Sequence, residues 1–242
     1  MVYAILQCIY TGLKYLTDAH RMMNAAIAAW NWIHRNKMNI PERELAHSYR
    51  QPYGTRYIIE REIEVIIRRG DIADEDVDVI VNGVDGKLRG GAVARDISME
   101  AGEGISEERK QKMSDREGRE LEVTEVLHTG GHNLKAKYVL HAVGPPSKLD
   151  NQFSYLLKQT FYNCLEYADV NLEVTSIAIP LIGSGVVGGR MEDCAESLVH
   201  AVKNFSQNYS FKTVNEIRLV NIDAEATSSI ETKASDFLYL HS

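Results

Sequence analysis

A chain of 242 residues, 44% hydrophobic and 25% charged, has an ordinary globular composition, with length for one sizeable α/β domain plus an appendage. Its formal net charge of −7 argues against nucleic acid as the main partner, because phosphate backbones are bound by clustered Lys and Arg. Cys8, Cys164 and Cys194 are odd in number and form no CxxC pair, which argues against a disulfide framework or a zinc site and predicts reduced, mostly buried thiols.

The opening MVYAILQCIYTGLKYL is apolar but lacks a basic leader and a small-residue cleavage site, and Gln7, Thr11 and Lys14 interrupt it. No stretch reaches the ~20 apolar residues a membrane-spanning helix requires. A soluble, unsecreted protein of the cytoplasm or nucleus is expected. Residues 1–57 read as a mainly helical segment, with Trp30 and Trp32 close together and Pro41 and Pro52 as punctuation. Residues 3–27 also lie without a gap on residues 155–179. Tyr3, Gln7, Tyr10, Leu13, Tyr15, Ala26 and Ile27 then meet Tyr155, Gln159, Tyr162, Leu165, Tyr167, Ala178 and Ile179. Chance likeness of two amphipathic helices accounts poorly for three matched tyrosines, so the segment is expected to be the remnant of a preceding copy of the domain that follows. The main domain is placed at 58–242.

From Ile63 onward strand and helix signals alternate. IEVIIRR (63–69), VDVIVN (77–82), YVLHAV (138–143), TSIAIP (175–180) and EIRLVNI (216–222) are short β-branched runs. A polar stretch at 105–122 is expected to be surface helix and loop. Helical spacing marks 152–168, 191–205 and a last stretch toward Phe237. Strands alternating with longer helices imply an α/β fold whose mostly parallel sheet is covered on both faces. Tyrosines in 155–167 are expected to pack on that sheet, and His141, inside an apolar strand, to be a hydrogen-bonded structural histidine. His128 and His132 flank Gly130-Gly131 without the partners of a metal site.

In such sheets ligands sit where strand carboxyl ends lead into helix N-termini. Gly70-Asp71-Ile72 follows the first strand. An acid there can accept from an exocyclic amine such as adenine N6, although a GD pair alone is as readily a turn or cap. VNGVDGKLRGGAVARDI (81–97) carries Gly90-Gly91 just before a helical stretch, where backbone N–H groups can converge on a phosphate. Asn82 and Asp85 are placed to meet ribose hydroxyls. IPLIGSGVVGGRMED (179–193) is a second such pattern, and is neither a Walker A motif nor GxGxxG in a first βα turn. Two glycine loops facing one sheet edge suit a diphosphate held between them.

GDI, VDVIVN with its Gly-Gly loop, HTGGHNLKAKYVLHAVGP (128–145) and SIAIPLIGSGVVGG (176–189), in this order, resemble the successive signatures of the macro domain. In style they are most similar to the tandem macro domains of large ADP-ribosyltransferases. The resemblance implies a three-layer α/β/α fold around a central mixed, mostly parallel sheet, with ADP-ribose as ligand and no cofactor. It places adenine on Asp71 and Ile72, and the diphosphate and distal ribose along Gly90, Gly91, Ala92 and Val93. Ser184, Gly185, Val186 and Gly188 form the other phosphate wall. Val187 stands where an aromatic usually follows the phosphate loop, and Ile222 where an aromatic often caps adenine.

Two departures bear on chemistry. Asp85 stands where hydrolase-type macro domains have the second Asn of an NAAN motif, and Ala94 where they have a catalytic Asp. The expected function is therefore a reader of ADP-ribose or mono-ADP-ribosylated protein. The alternatives are an ADP-ribosyl hydrolase or O-acetyl-ADP-ribose deacetylase, with Asp85 the one candidate catalytic group, and a non-binding scaffold of a tandem array.

Overall fold

The structure is a computed structural model, and it describes residues 54–147, 152–185, 188–208 and 213–238. The helical segment expected at 1–57 and its repeat lie almost wholly outside these residues. Strands β1 (Thr55–Ile59), β2 (Ile63–Arg69), β3 (Val79–Val84), β4 (Val126–Gly130), β5 (Tyr138–Val143), β6 (Ser176–Ile179) and β7 (Glu216–Asn221) form one sheet, in the order β1-β2-β7-β6-β3-β5-β4. The helices are α1 (Ala92–Ala101), α2 (Glu103–Asp115), α3 (Phe153–Val170), α4 (Met191–Gln207) and α5 (Ala224–Leu238). Three-residue 3-10 turns cover Glu60–Glu62 and Ile72–Asp74.

The five inner strands are parallel, and β1 and β4 are antiparallel edges. The sheet is therefore mixed and mostly parallel, as its β-branched runs imply. Burial on both faces is why those runs are apolar throughout. Val65, Val81, Leu140, Ile177 and Leu219 pack with Phe161 and Leu165 of α3, Leu198 and Val202 of α4, and Ile230 of α5. Ile80, Val139, Ala178 and Val220, one residue out of step, pack with Ile97 and Ala101 of α1 and Ile105 of α2. Phe161 and Phe205 are wholly buried and each contributes on the order of 1.5–3 kcal/mol.

Three local features differ from the sequence expectations. β1 begins at Thr55, so Thr55, Arg56 and Tyr57, assigned above to the helical segment, lie in the sheet. β4 answers to no strand signal, because an edge strand with the sequence VLHTG is only partly buried. Tyr162 and Tyr167 pack on the core, but Tyr155 is 63% exposed, on the outer side of α3.

Candidate functional site

Because β2, β7, β6, β3 and β5 run the same way, their carboxyl ends line one edge. The three expected loops meet there. The Gly70 N–H donates to the Asn221 carbonyl at 2.9 Å, extending the β2–β7 ladder by one rung. Asp71 then caps the 3-10 turn, its Oδ1 accepting the Ala73 N–H at 3.0 Å. Oδ2 has no partner among the described residues, so one acceptor stays available at a half-buried position. The Ile72 side chain is buried in the core beneath, which leaves its backbone as the part able to face a ligand.

The second loop is built differently from its sequence reading. Asp85 turns its carboxylate onto its own loop. Its Oδ1 accepts the N–H groups of Lys87 and Arg89, both at 2.9 Å, while Oδ2 takes Arg89 Nε at 2.9 Å and Nη2 at 2.8 Å. Partial burial pushes this carboxyl up, but the Arg89 N–H and guanidinium and the Lys87 N–H outweigh it and hold it below the usual carboxylate range. A lowered, fully engaged carboxylate is a poor general base. Leu88 completes the loop at φ 60°. Gly90 is required by packing: a Cβ there would overlap the Ala94 methyl and lie 2.8 Å from the Gly83 carbonyl. Gly91 is the N-cap of α1 and offers no side-chain cap bond, so the helix's first N–H groups, at exposed Ala92 and Val93, are open to an anion. Ala94 is buried.

Asn82 is set deeper. It is fully buried on the α1 side of β3, with Nδ2 3.3 Å from His141 Nδ1, so its amide lies below the rim. His141 Nε2 lies 3.0 Å from Thr129 Oγ1. This histidine is structural, as its apolar strand implies, and burial above all pushes its pKa down to about 3.

In the third loop, the Gly188 N–H donates to Gly185 O and the Gly189 N–H to Gly183 O, both at 2.9 Å, so the chain doubles back before α4. Gly183 and Gly188 have φ of 96° and 78°, in the left-handed region that favours glycine. Among the described residues, a Cβ on Gly185 would meet nothing within 4 Å. Ser184 is half-buried, its Oγ 3.4 Å from Leu181 O. Val186 and Val187 lie outside the described residues. Ile222, 52% exposed, stands at the end of β7, and its carbonyl accepts from Arg69 Nε at 2.8 Å.

Sequence reasoning missed Asn221. Its side-chain Oδ1 accepts the Leu181 N–H at 2.9 Å, just where Pro180 has ended the β6 ladder. Through its main chain and side chain it joins the Asp71 loop to the glycine loop. A polar residue closing the apolar run EIRLV was the available signal.

Among the described residues no group of three or more His, Cys, Asp or Glu could hold a metal, and no helix is long and apolar enough to cross a membrane. Cys164 and Cys194 are buried, and burial pushes both thiols up to about 12.

An α/β sheet with an acid-bearing loop, a helix N-terminus and a glycine loop along one edge has the arrangement of an open-sheet ligand-binding domain. The family model of the macro domain matches residues 81–198. A macro domain-containing protein of Listeria monocytogenes is 34% identical over 165 residues, covering 67% of this chain and 92% of its own. A Thermotoga maritima protein is 36% identical over 174 residues, of whose length the chain spans only 28%. The Oceanobacillus iheyensis macrodomain superposes with a TM-score of 0.70 at 27% identity, covering 75% of this chain and 95% of its own. That protein has been solved with MES, with ADP and, as a glycine-to-valine mutant, with ADP-ribose. The chain belongs to the macro domain family.

Proposed function

We propose that this protein binds ADP-ribose, free or attached to protein, and cleaves the ADP-ribosyl–protein bond little or not at all. The observation that carries this reading is the condition of Asp85: the one candidate base at the rim is tied to Arg89 and to two backbone N–H groups. What faces the edge is otherwise suited to recognition. Asp71 Oδ2 accepts the adenine amine, while the α1 N-terminus from Gly91 to Val93 and the loop of Ser184 and Gly185 hold the diphosphate from two sides. Ile222 lies over the adenine end in place of an aromatic. Asn82 supports the site from below, and Gly90 keeps the second loop close to α1.

The partners in this reading are mono-ADP-ribosylated proteins of the cytoplasm or nucleus. The expected segment, shortened at its end by the three residues that belong to β1, is part of the same proposal, as the remnant of a preceding copy in a tandem array of the kind found in large ADP-ribosyltransferases. Calorimetric titration with ADP-ribose, AMP and NAD tests binding, and no heat with any of them removes the reading in favour of a scaffold. Multiple turnover on a mono-ADP-ribosylated protein would replace it with a hydrolase.

A further inference from the structure

We propose that Glu75 is a positioning residue that sets the adenine specificity of this site, by fixing the loop that carries Asp71 to two strands at once. The inference rests on the ADP-ribose reading given above.

Glu75 follows the 3-10 turn Ile72–Asp74, and its N–H donates to Ile72 O at 3.3 Å. Its side chain is wholly buried. One carboxylate oxygen lies 2.9 Å from Arg68 Nη2 on β2, and the other accepts from Arg218 Nη1 on β7 at 2.8 Å. The Arg218 contact is an aligned hydrogen bond, and Arg218 Nε also reaches Glu216. The Arg68 contact is a charge contact without that alignment, since Glu75 Oε1 has no directed donor. Arg218 is therefore the stronger anchor.

A buried carboxylate between two cations is costly to desolvate, and an apolar residue of similar size would hold a loop against the sheet equally well. What the charged triad adds is direction. Ion pairs to neighbouring strands fix the loop's distance from each of them, which apolar packing does not. Only three residues separate Glu75 from Asp71, and they are spanned by Asp71 Oδ1 to Ala73 N and by Asp74 N to Asp71 O. At its other end the loop is held by Gly70 N to Asn221 O, and a Cβ on Gly70 would come within 3.2 Å of Arg68 Nη2. The free Oδ2 of Asp71 is thus placed relative to the sheet edge by Glu75 on one side and by Gly70 on the other. Telling an exocyclic amine from a hydrogen atom depends on that placement, because a hydrogen bond weakens steeply once distance or angle is lost.

The test titrates wild type and Glu75→Gln with ADP-ribose and with its analogue carrying unsubstituted purine, which lacks the 6-amino group. Wild type is expected to prefer ADP-ribose by roughly tenfold to a hundredfold. Glu75→Gln is expected to cut that preference to below about threefold while its affinity for the purine analogue stays within about threefold of wild type. A folded Glu75→Gln that keeps the full preference overturns the proposal, and so does an equal loss for both ligands, which is what a merely structural role gives. Should loss of the buried carboxylate, which leaves Arg68 without its partner and Arg218 with Glu216 alone, prevent folding, Glu75→Asp and Arg218→Lys retain the charges. Each is then expected to lose at least about threefold of the preference, and an unchanged ratio in both overturns the proposal. Wild type that binds neither ligand, or both equally, fails at the adenine reading itself and takes this inference with it.

Discussion

The carboxylate of Asp85 and the guanidinium of Arg89 close a five-residue ring at the end of β3, with Oδ2 2.9 Å from Nε and 2.8 Å from Nη2. Both side chains are substantially exposed, so salt screens the pair and its worth is small. Asp85→Asn should leave hydrolysis of a mono-ADP-ribosylated acidic-residue substrate as low as in wild type. Freed of its partner, Arg89 can turn to the diphosphate, and ADP-ribose should bind more tightly by about fivefold or less. Calorimetry at two salt concentrations measures the gain, which should shrink at the higher. Wild-type turnover that disappears in Asp85→Asn would instead give Asp85 a catalytic role.

Asp71→Ala leaves the N6 amine without its acceptor in a half-buried slot. A hydrogen bond to a charged acceptor is worth ~1.5–3 kcal/mol, so ADP-ribose affinity should fall on the order of tenfold to a hundredfold. Part of any loss in melting temperature comes from the Ala73 N–H, which Asp71 also caps. Unchanged affinity in the folded variant removes Asp71 from the site.

Gly185 and Gly90 should respond in opposite ways. A side chain at Gly185 meets none of the described residues, so Gly185→Glu should abolish ADP-ribose binding by bulk and charge with little change in melting temperature. Gly90→Ala collides with Ala94 and the Gly83 carbonyl, and overpacking of this kind costs about 1–3 kcal/mol. Thermal melts and titrations of the two variants check the contrast. Normal binding by Gly185→Glu would mean the ligand is not cradled by this loop.

How far these sites could be read in advance depends on whether their geometry is local. IEVIIRR and YVLHAV were legible because parallel strands buried on both faces need apolar, β-branched residues at every position. VLHTG was not, since a half-buried edge strand carries no such demand. The glycine loops were legible as loops, but only the fold shows that Gly90 answers to Ala94 and Gly185 to none of the described residues. Glu75 sits within the acidic run Asp74-Glu75-Asp76, where nothing local marks one carboxylate as buried. Its burial follows from two arginines, one 143 residues away in the chain, a pairing that neither periodicity nor composition encodes.

Asn221→Leu keeps the size and removes the acceptor of the Leu181 N–H. A buried donor left unpaired costs ~1–3 kcal/mol, here confined to the joint between β6 and β7. Amide exchange at Leu181 should quicken, and affinity for ADP-ribose should fall. Asn221→Asp retains an acceptor and should recover most of it. Equal exchange in all three proteins would show that the side chain does not hold the loop.

Acid should destabilise the domain in two stages. Burial holds His141 down to about 3, below its unfolded value of about 6.5, so its contribution is present above that value and is lost as pH falls through the interval. Asp78 acts lower. Burial raises its carboxyl, but Lys137, both Thr175 donors and the Ser176 N–H outweigh this and carry it well below its ordinary value. Its contribution is present above about pH 4 and is lost only below it. Urea midpoints between pH 8 and 3 should therefore fall from about 6.5 downward, and Asp78→Asn should be weaker at pH 7 and flatter below about 4. A wild-type midpoint that holds steady down to pH 4 would contradict the His141 assignment.

The strand order has a consequence for how the chain reaches this state. β7 lies between β2 and β6 and is the strand through which the sheet's hydrogen bonding passes from the half ending in Asp71 to the half ending in the glycine loop. During synthesis, β2 has to wait about 150 residues of chain for its parallel partner, a long-range closure of the kind that slows folding. Until residue 221 has left the ribosome, β2 and β6 each present an open edge to whatever strand is nearby, including one from another chain. The strand that completes the sheet is thus also the last strand to be synthesised, and mutations that weaken β7 should be seen first as poor recovery of soluble protein during expression.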